Sequence, residues 1–159
     1  MVSDNLRIWF NKPSVIVARN IFWLLIGQGW VAFLIYIIGG LWLAITIVGA
    51  PWAVRVWQMS RYVLWPAGME FRRTEDVPTK PLYIFLVIWW LLVPGITLIV
   101  LHFSLGLAMF ATIIFFFVGI EHWKLLVRIA WNPFGITAHP NEWASRAAHE
   151  SGTAPPTMR

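Results

Sequence analysis

The sequence predicts an all-α integral membrane protein: four transmembrane segments arranged as two tandem hairpins, each followed by a cytoplasmic amphipathic interfacial helix. Three observations predict it. No Asp, Glu, Lys or Arg occurs from Asn20 to Val54 or from Pro81 to Ile120. All 12 Lys and Arg lie outside those stretches: before the first (Arg7, Lys12, Arg19), between the two (Arg55, Arg61, Arg72, Arg73, Lys80) or after the second (Lys124, Arg128, Arg146, Arg159). The chain is 59% hydrophobic and 12% charged, about half the charge of a soluble domain. A spanning helix takes about 20 apolar residues, so each stretch has room for two. Positive charge marks the cytoplasmic side, which places the N-terminus, the central linker and the C-terminus inside.

Composition supports the same class. Mean hydropathy is +0.69, and the 12 Trp and 11 Phe suit rings collected at the headgroup level. The net charge of +5 is an orientation signal, since no segment concentrates it into a nucleic-acid footprint. The absence of Cys excludes disulfides, thiol catalysis and Cys-ligated zinc. The first apolar run is too long for a cleaved signal peptide and is expected to remain as an anchor.

Residues 1–19 read as an interfacial lead-in, with Leu6, Ile8, Trp9 and Phe10 beside Arg7 and Lys12, and with Pro13 opening a helix. Residues 20–68 form the first hairpin unit. Its first helix is expected to reach Ile38, with Arg19 snorkelling to the surface, to break at Gly39-Gly40, and to have Trp42 as an outer anchor. The second limb runs to Gly49-Ala50-Pro51, where Pro51 is expected to kink the helix. Arg55, Gln58 and Arg61 then make a polar stripe on an interfacial helix that stops at Trp65-Pro66-Ala67-Gly68. Limbs of about 17 residues rise only about 25 Å, so a re-entrant hairpin is the rival arrangement. Residues 69–80 are the polar linker. Residues 81–135 repeat the plan, with a break at Pro94-Gly95, a turn near His102 to Leu105, and a second stripe of Glu121, Lys124 and Arg128. Residues 136–159 are a cytoplasmic tail in which Asn141 can cap a short helix, and Ser151 to Arg159 are expected to be disordered.

The halves share an order of parts: Val48-Gly49 answers Val118-Gly119, and Pro66-Ala67-Gly68 answers Pro133-Phe134-Gly135. On that alignment the second amphipathic helix is about one turn shorter. Each unit makes an even number of crossings, so the duplication is parallel. The series Asn20-Ile21-Phe22-Trp23, Gly29-Trp30, Ile45 to Pro51 and Leu64-Trp65-Pro66-Ala67-Gly68 resembles the YccF-type inner-membrane domain of bacteria. The second half departs from it, with Glu121 where the pattern puts Pro and Asn132 where it puts Trp. The resemblance implies a multi-pass bacterial inner-membrane protein with paired domains. It supplies no catalytic residue, cofactor or substrate.

No catalytic, cofactor or metal set is assembled in the sequence. His102 reads as a turn residue in contact with water. Glu121-His122 has no further His or carboxylate one turn away, and Lys124 is the expected charge partner of Glu121. Gly27-Gln28-Gly29 reads as interhelical packing near the middle of helix one. Gln28, Thr46 and Thr112 are the groups that would line a pore, and Arg55, Arg61, Lys124 and Arg128 those that would meet anionic headgroups. The expected function is a non-enzymatic membrane component that assembles with itself or with a larger complex. A homo-oligomeric channel is the alternative.

Overall fold

The computed structural model describes residues 4–74 and 77–152. The expectation of disorder beyond Gly152 lies outside the described residues. In order come α1 (Asp4–Phe10), α2 (Pro13–Leu25), α3 (Gly29–Ala44), α4 (Ala50–Leu64), β1 (Met69–Arg73), α5 (Lys80–Trp90), a π-helical stretch (Leu91–Gly95) and α6 (Ile96–Ala111). Then follow α7 (Phe116–Leu125), a second π-helical stretch (Leu126–Ala130), β2 (Ile136–Pro140) and α8 (Glu142–Glu150).

Pro13 opens α2, as its fixed φ and missing amide favour. The first helix does not run on to Ile38. It breaks after Leu25, and Gln28 (φ 51°) carries the chain into α3 at a bend of 72°. Gly39-Gly40, expected to end the helix, lie inside α3 and are buried. Their missing side chains admit Trp90 and Pro94 at Gly39 and Trp57 at Gly40. That packing outweighs the propensity cost of about 1 kcal/mol per glycine. The turn falls instead at 45–49. There the Thr46 hydroxyl donates to the Leu43 carbonyl (2.7 Å) and accepts from the Gly49 amide (2.9 Å). Pro51 stands in the first turn of α4 and starts that helix rather than kinking it. The expected interfacial helix, α4, is therefore the returning limb of the hairpin.

The second half follows suit. No turn occurs at His102 to Leu105, because α6 runs unbroken to Ala111. Pro94 is accommodated within the π-helical stretch Leu91–Gly95, whose wider turn relieves the clash of a proline with the preceding turn. The chain reverses at 112–115, where Thr112 donates to the Met109 carbonyl (2.7 Å). The 10 residues of α7 and the 5 of its π-helical extension equal the 15 of α4, so the second limb is not shorter. Among the described residues, Lys80–Ala111 (32 residues) is long and apolar enough to cross a membrane. The bent pair α2 and α3 makes a second if it counts as one span. Four such helices were expected because the stretches were divided where the helices in fact continue.

The two halves are related by a local two-fold. Trp23 Nε1 donates to the Val63 carbonyl (3.0 Å) and Trp90 Nε1 to the Ala130 carbonyl (2.9 Å), each across 40 residues. Ile47 (φ 58°) answers Ile113 (φ 55°) at the tips. Thr46 thus aligns with Thr112, replacing the alignment of Val48-Gly49 with Val118-Gly119. Phe117, not Glu121, stands where the first half has Pro51. The linker and tail are not wholly irregular: β1 and β2 pair antiparallel about Phe71 and Ala138, adding a small sheet to the predicted all-α fold. The Asn141 amide donates to the Gly68 carbonyl (2.9 Å) and the Thr74 amide to the Gly135 carbonyl (2.7 Å), closing both ends of the sheet alike. Gly68 (φ 83°) and Gly135 (φ 65°) supply the left-handed turn into each strand. Trp23, Tyr36, Leu43, Trp90, Leu98 and Val118 form the centre of the core.

Each Pro-x-Gly turn is held by an asparagine, but by different ones. Asn20 Oδ1 accepts from the Ala67 amide (3.0 Å), and its Nδ2 donates to the Ile16 carbonyl (3.0 Å). In the second half Asn132 Oδ1 accepts from the Phe134 amide (3.0 Å), and its Nδ2 donates to the Tyr83 hydroxyl. That is the use of an Asn where the first half has Trp65. Asn20→Ala leaves a buried amide without a partner and is expected to destabilise the protein by about 2 kcal/mol. Unfolding in detergent, compared with the wild type, checks it.

Candidate functional site

Among the described residues, two clusters of buried ionisable side chains occur. The first centres on Glu121, which α7 turns inward so that its side chain is 2% exposed. Arg19, from α2, bonds it at 2.5 Å, and Lys124 pairs with it from one turn along α7. Lys124 Nζ also donates to the carbonyls of Pro66 (2.6 Å) and Met69 (3.2 Å). The expected pairing of Glu121 with Lys124 is present. Arg19, expected to snorkel to the surface, joins it from 102 positions away, and no local spacing signals that. One carboxylate between two cations, with the carbonyls of Phe10, Pro66 and Met69 also accepting from them, ties α2, α7 and the turn into β1 together. These groups border a cleft with Asn11, Glu70, Arg128 and Trp143.

The second cluster is a histidine pair. His102 of α6 and His122 of α7 are both fully buried, with Nδ1 atoms 3.0 Å apart. His102 is therefore not a water-facing turn residue. One ring must donate and the other accept, so the two hold opposite roles at Nδ1. Trp23 covers both rings, 6.3 Å from His102 and 4.5 Å from His122. Tyr36 takes the place of His102 in the first half and packs on Trp90 at 5.7 Å. Two nitrogens do not make a metal site. Among the described residues no group of three His, Cys, Asp or Glu could hold one. The sequence carried a signal for this pair: the histidines lie equally far from Thr112 on the two limbs of one hairpin.

The other predicted residues do not converge. Gly27 and Gly29 flank Trp23, and a Cβ at Gly27 would also meet Val118 at 2.7 Å. Gln28 is exposed at the bend between α2 and α3, not in the middle of a helix. Thr46 and Thr112 lie at separate tips with their hydroxyls returned to the backbone. Gly49 is buried in the turn beside the Leu43 carbonyl, next to Pro51 at the start of α4. Arg55 lies over the Trp52 ring (5.1 Å), and Arg55 and Arg61 border β2. Arg128 borders β1, while Lys124 is committed to Glu121.

No curated protein matches the chain, and no solved structure does. One family does match, over residues 18–69, which run from α2 to the start of β1. That segment is the first repeat, and it contains the landmarks on which the resemblance was drawn. Residues 18–69 thus match the YccF family, described as an inner membrane component domain.

Proposed function

We propose that this chain is a non-enzymatic component of the bacterial inner membrane, with both termini cytoplasmic, that assembles with copies of itself or as an accessory subunit of a larger complex. The observation that carries the reading is the YccF match together with the outer faces of α3 and α6. There Trp30, Leu34, Ile38, Leu41 and Ile45, and Ile96, Val100, Phe103 and Leu107, are exposed along the helices. Such continuous apolar faces need lipid or another membrane protein to cover them. The buried polar groups are bound to one another and to backbone carbonyls, which favours a structural component over an enzyme. A pore has less support, since Gln28, Thr46 and Thr112 share no wall. Anionic headgroups are the proposed lipid contact of Arg61 and Arg128, which lie beside the strands.

Native mass measurement of the gently solubilised protein tests the assembly. Copies of this chain, or defined unrelated subunits in fixed ratio, are expected. A monomer in every mild detergent overturns it, and a closed ring that conducts ions in vesicles moves the reading to the pore.

A further inference from the structure

The two hairpin tips point in opposite directions. Near the first tip, Trp42 and Trp89 exchange indole-to-carbonyl hydrogen bonds (2.9 and 3.0 Å). A little further back along α3, Gly39 packs on Pro94 and Trp90. Thus α3 runs antiparallel to the long helix from Lys80, and tip 45–49 continues toward Lys80. At the other end, Phe115 of tip 112–115 lies 6.3 Å from Phe22, and Phe117 lies 5.7 Å from it. Phe22 is three residues beyond Arg19, a rise of about 4.5 Å. Neither tip is therefore a membrane thickness, about 30 Å, from charge.

Polarity is divided along the helices, not at their ends. Arg55, Gln58 and Arg61 on α4 border β2, and Glu121, Lys124 and Arg128 border β1. The exposed faces of α3 and α6 carry no charge along their whole length, and Thr97 and Ser104 are the polar side chains exposed on α6. A hairpin divided lengthwise in this way, one limb charged and the other uncharged, lies in the interface plane, whereas a spanning hairpin carries its charges at its ends. The tips complete the pattern. Ile47 and Ile113, each 83% exposed, hold left-handed φ values of 58° and 55°, where water-facing turns use Gly or Asn. The tip hydroxyls of Thr46 and Thr112 already serve nearby carbonyls.

We propose that the protein does not cross the bilayer: both hairpins lie along the cytoplasmic leaflet, with the two tips and the outer faces of α3 and α6 among its acyl chains and the β1–β2 sheet in water. This rests on the membrane reading above. The absence of Cys makes single-thiol probes direct. Ile47→Cys, Ile113→Cys and the cytoplasmic control Thr79→Cys are prepared in right-side-out and inverted membrane vesicles and treated with an impermeant maleimide. A small fluorophore on each tip thiol is then quenched by nitroxides placed high or low on the lipid chain. Ile38→Cys and Leu107→Cys repeat the test at helical positions free of backbone strain. Thr79→Cys is expected to label only in inverted vesicles. The tip thiols are expected to label from neither side, and to be quenched more by the shallow nitroxide. Labelling of a tip from the outer side, or stronger quenching by the deep nitroxide, overturns the in-plane arrangement and leaves the membrane reading standing. Tips that label in inverted vesicles as fast as Thr79→Cys also overturn it. If alkaline carbonate then strips the protein from the vesicles, the membrane reading falls as well.

Discussion

Glu121→Gln is expected to destabilise the protein by about 3 kcal/mol, the range for breaking a buried pair by removing one partner. The carboxylate is 2% exposed and faces Arg19 and Lys124, whose side chains are 15% and 23% exposed. Without it two cations remain close together at the junction of α2, α7 and the turn into β1. Arg19→Gln should cost less, because Lys124 still neutralises Glu121. The exposed Glu70–Arg72 pair (3.0 Å) is the control, and Glu70→Gln should leave stability little changed, because solvent screens the pair. Replacing Arg19, Glu121 and Lys124 together by Met, Leu and Met should recover part of the loss, since no unpaired charge is then buried. Denaturant or thermal unfolding in detergent measures the series. A Glu121→Gln protein as stable as the Glu70→Gln control would remove the triad from any structural role.

Much of this molecule is legible in its charge pattern, and the part that is not has identifiable physical causes. Charge-free stretches mark the apolar helices α3 and α6 and the turns after them, but not whole hairpins, because the returning limbs carry Arg55, Arg61, Glu121 and Lys124. The turns escaped because their signals are unusual. Gly39-Gly40 reads as a break, yet its small size is used to seat two tryptophans. The tips of the real turns, Thr46-Ile47-Val48 and Thr112-Ile113-Ile114, contain no Gly, Pro or Asn, Gly49 only closes the first turn, and a single threonine hydroxyl does the capping in each. Once the turns move, much else moves with them. The interfacial helices become returning limbs, His102 meets His122, and Gln28 leaves the helix interior. The strands are five residues each and far apart in the chain, so nothing local announces their pairing. Asn141 as the cap of α8, accepting from the Ala144 amide at 2.7 Å, was local and readable.

Gly40→Ala and Gly106→Ala, equivalent positions in the two halves, are expected to differ widely in cost. A methyl group at Gly40 would overlap the Trp57 indole, whose Nε1 donates to the Ile37 carbonyl at 2.9 Å. The ring cannot move aside without losing that bond, and behind it α3 and α4 are packed along their length. Overpacking and the lost bond together should destabilise Gly40→Ala by about 3 kcal/mol. At Gly106 the nearest atoms are His122 Cβ and Trp123 Nε1, both at 3.2 Å, so a shift of a few tenths of an ångström suffices. The Trp123 indole nitrogen is buried without a hydrogen-bond partner, so its movement breaks none. The helix propensity gained by replacing glycine, about 1 kcal/mol, then offsets the strain, and Gly106→Ala should be close to neutral. Enlarging both sites to Leu removes the distinction, because a branched side chain fits neither. Paired unfolding curves in one detergent decide the matter. Equal costs for the two alanine variants, or a larger cost at Gly106, would mean that the Trp57 bond does not fix the α3–α4 contact.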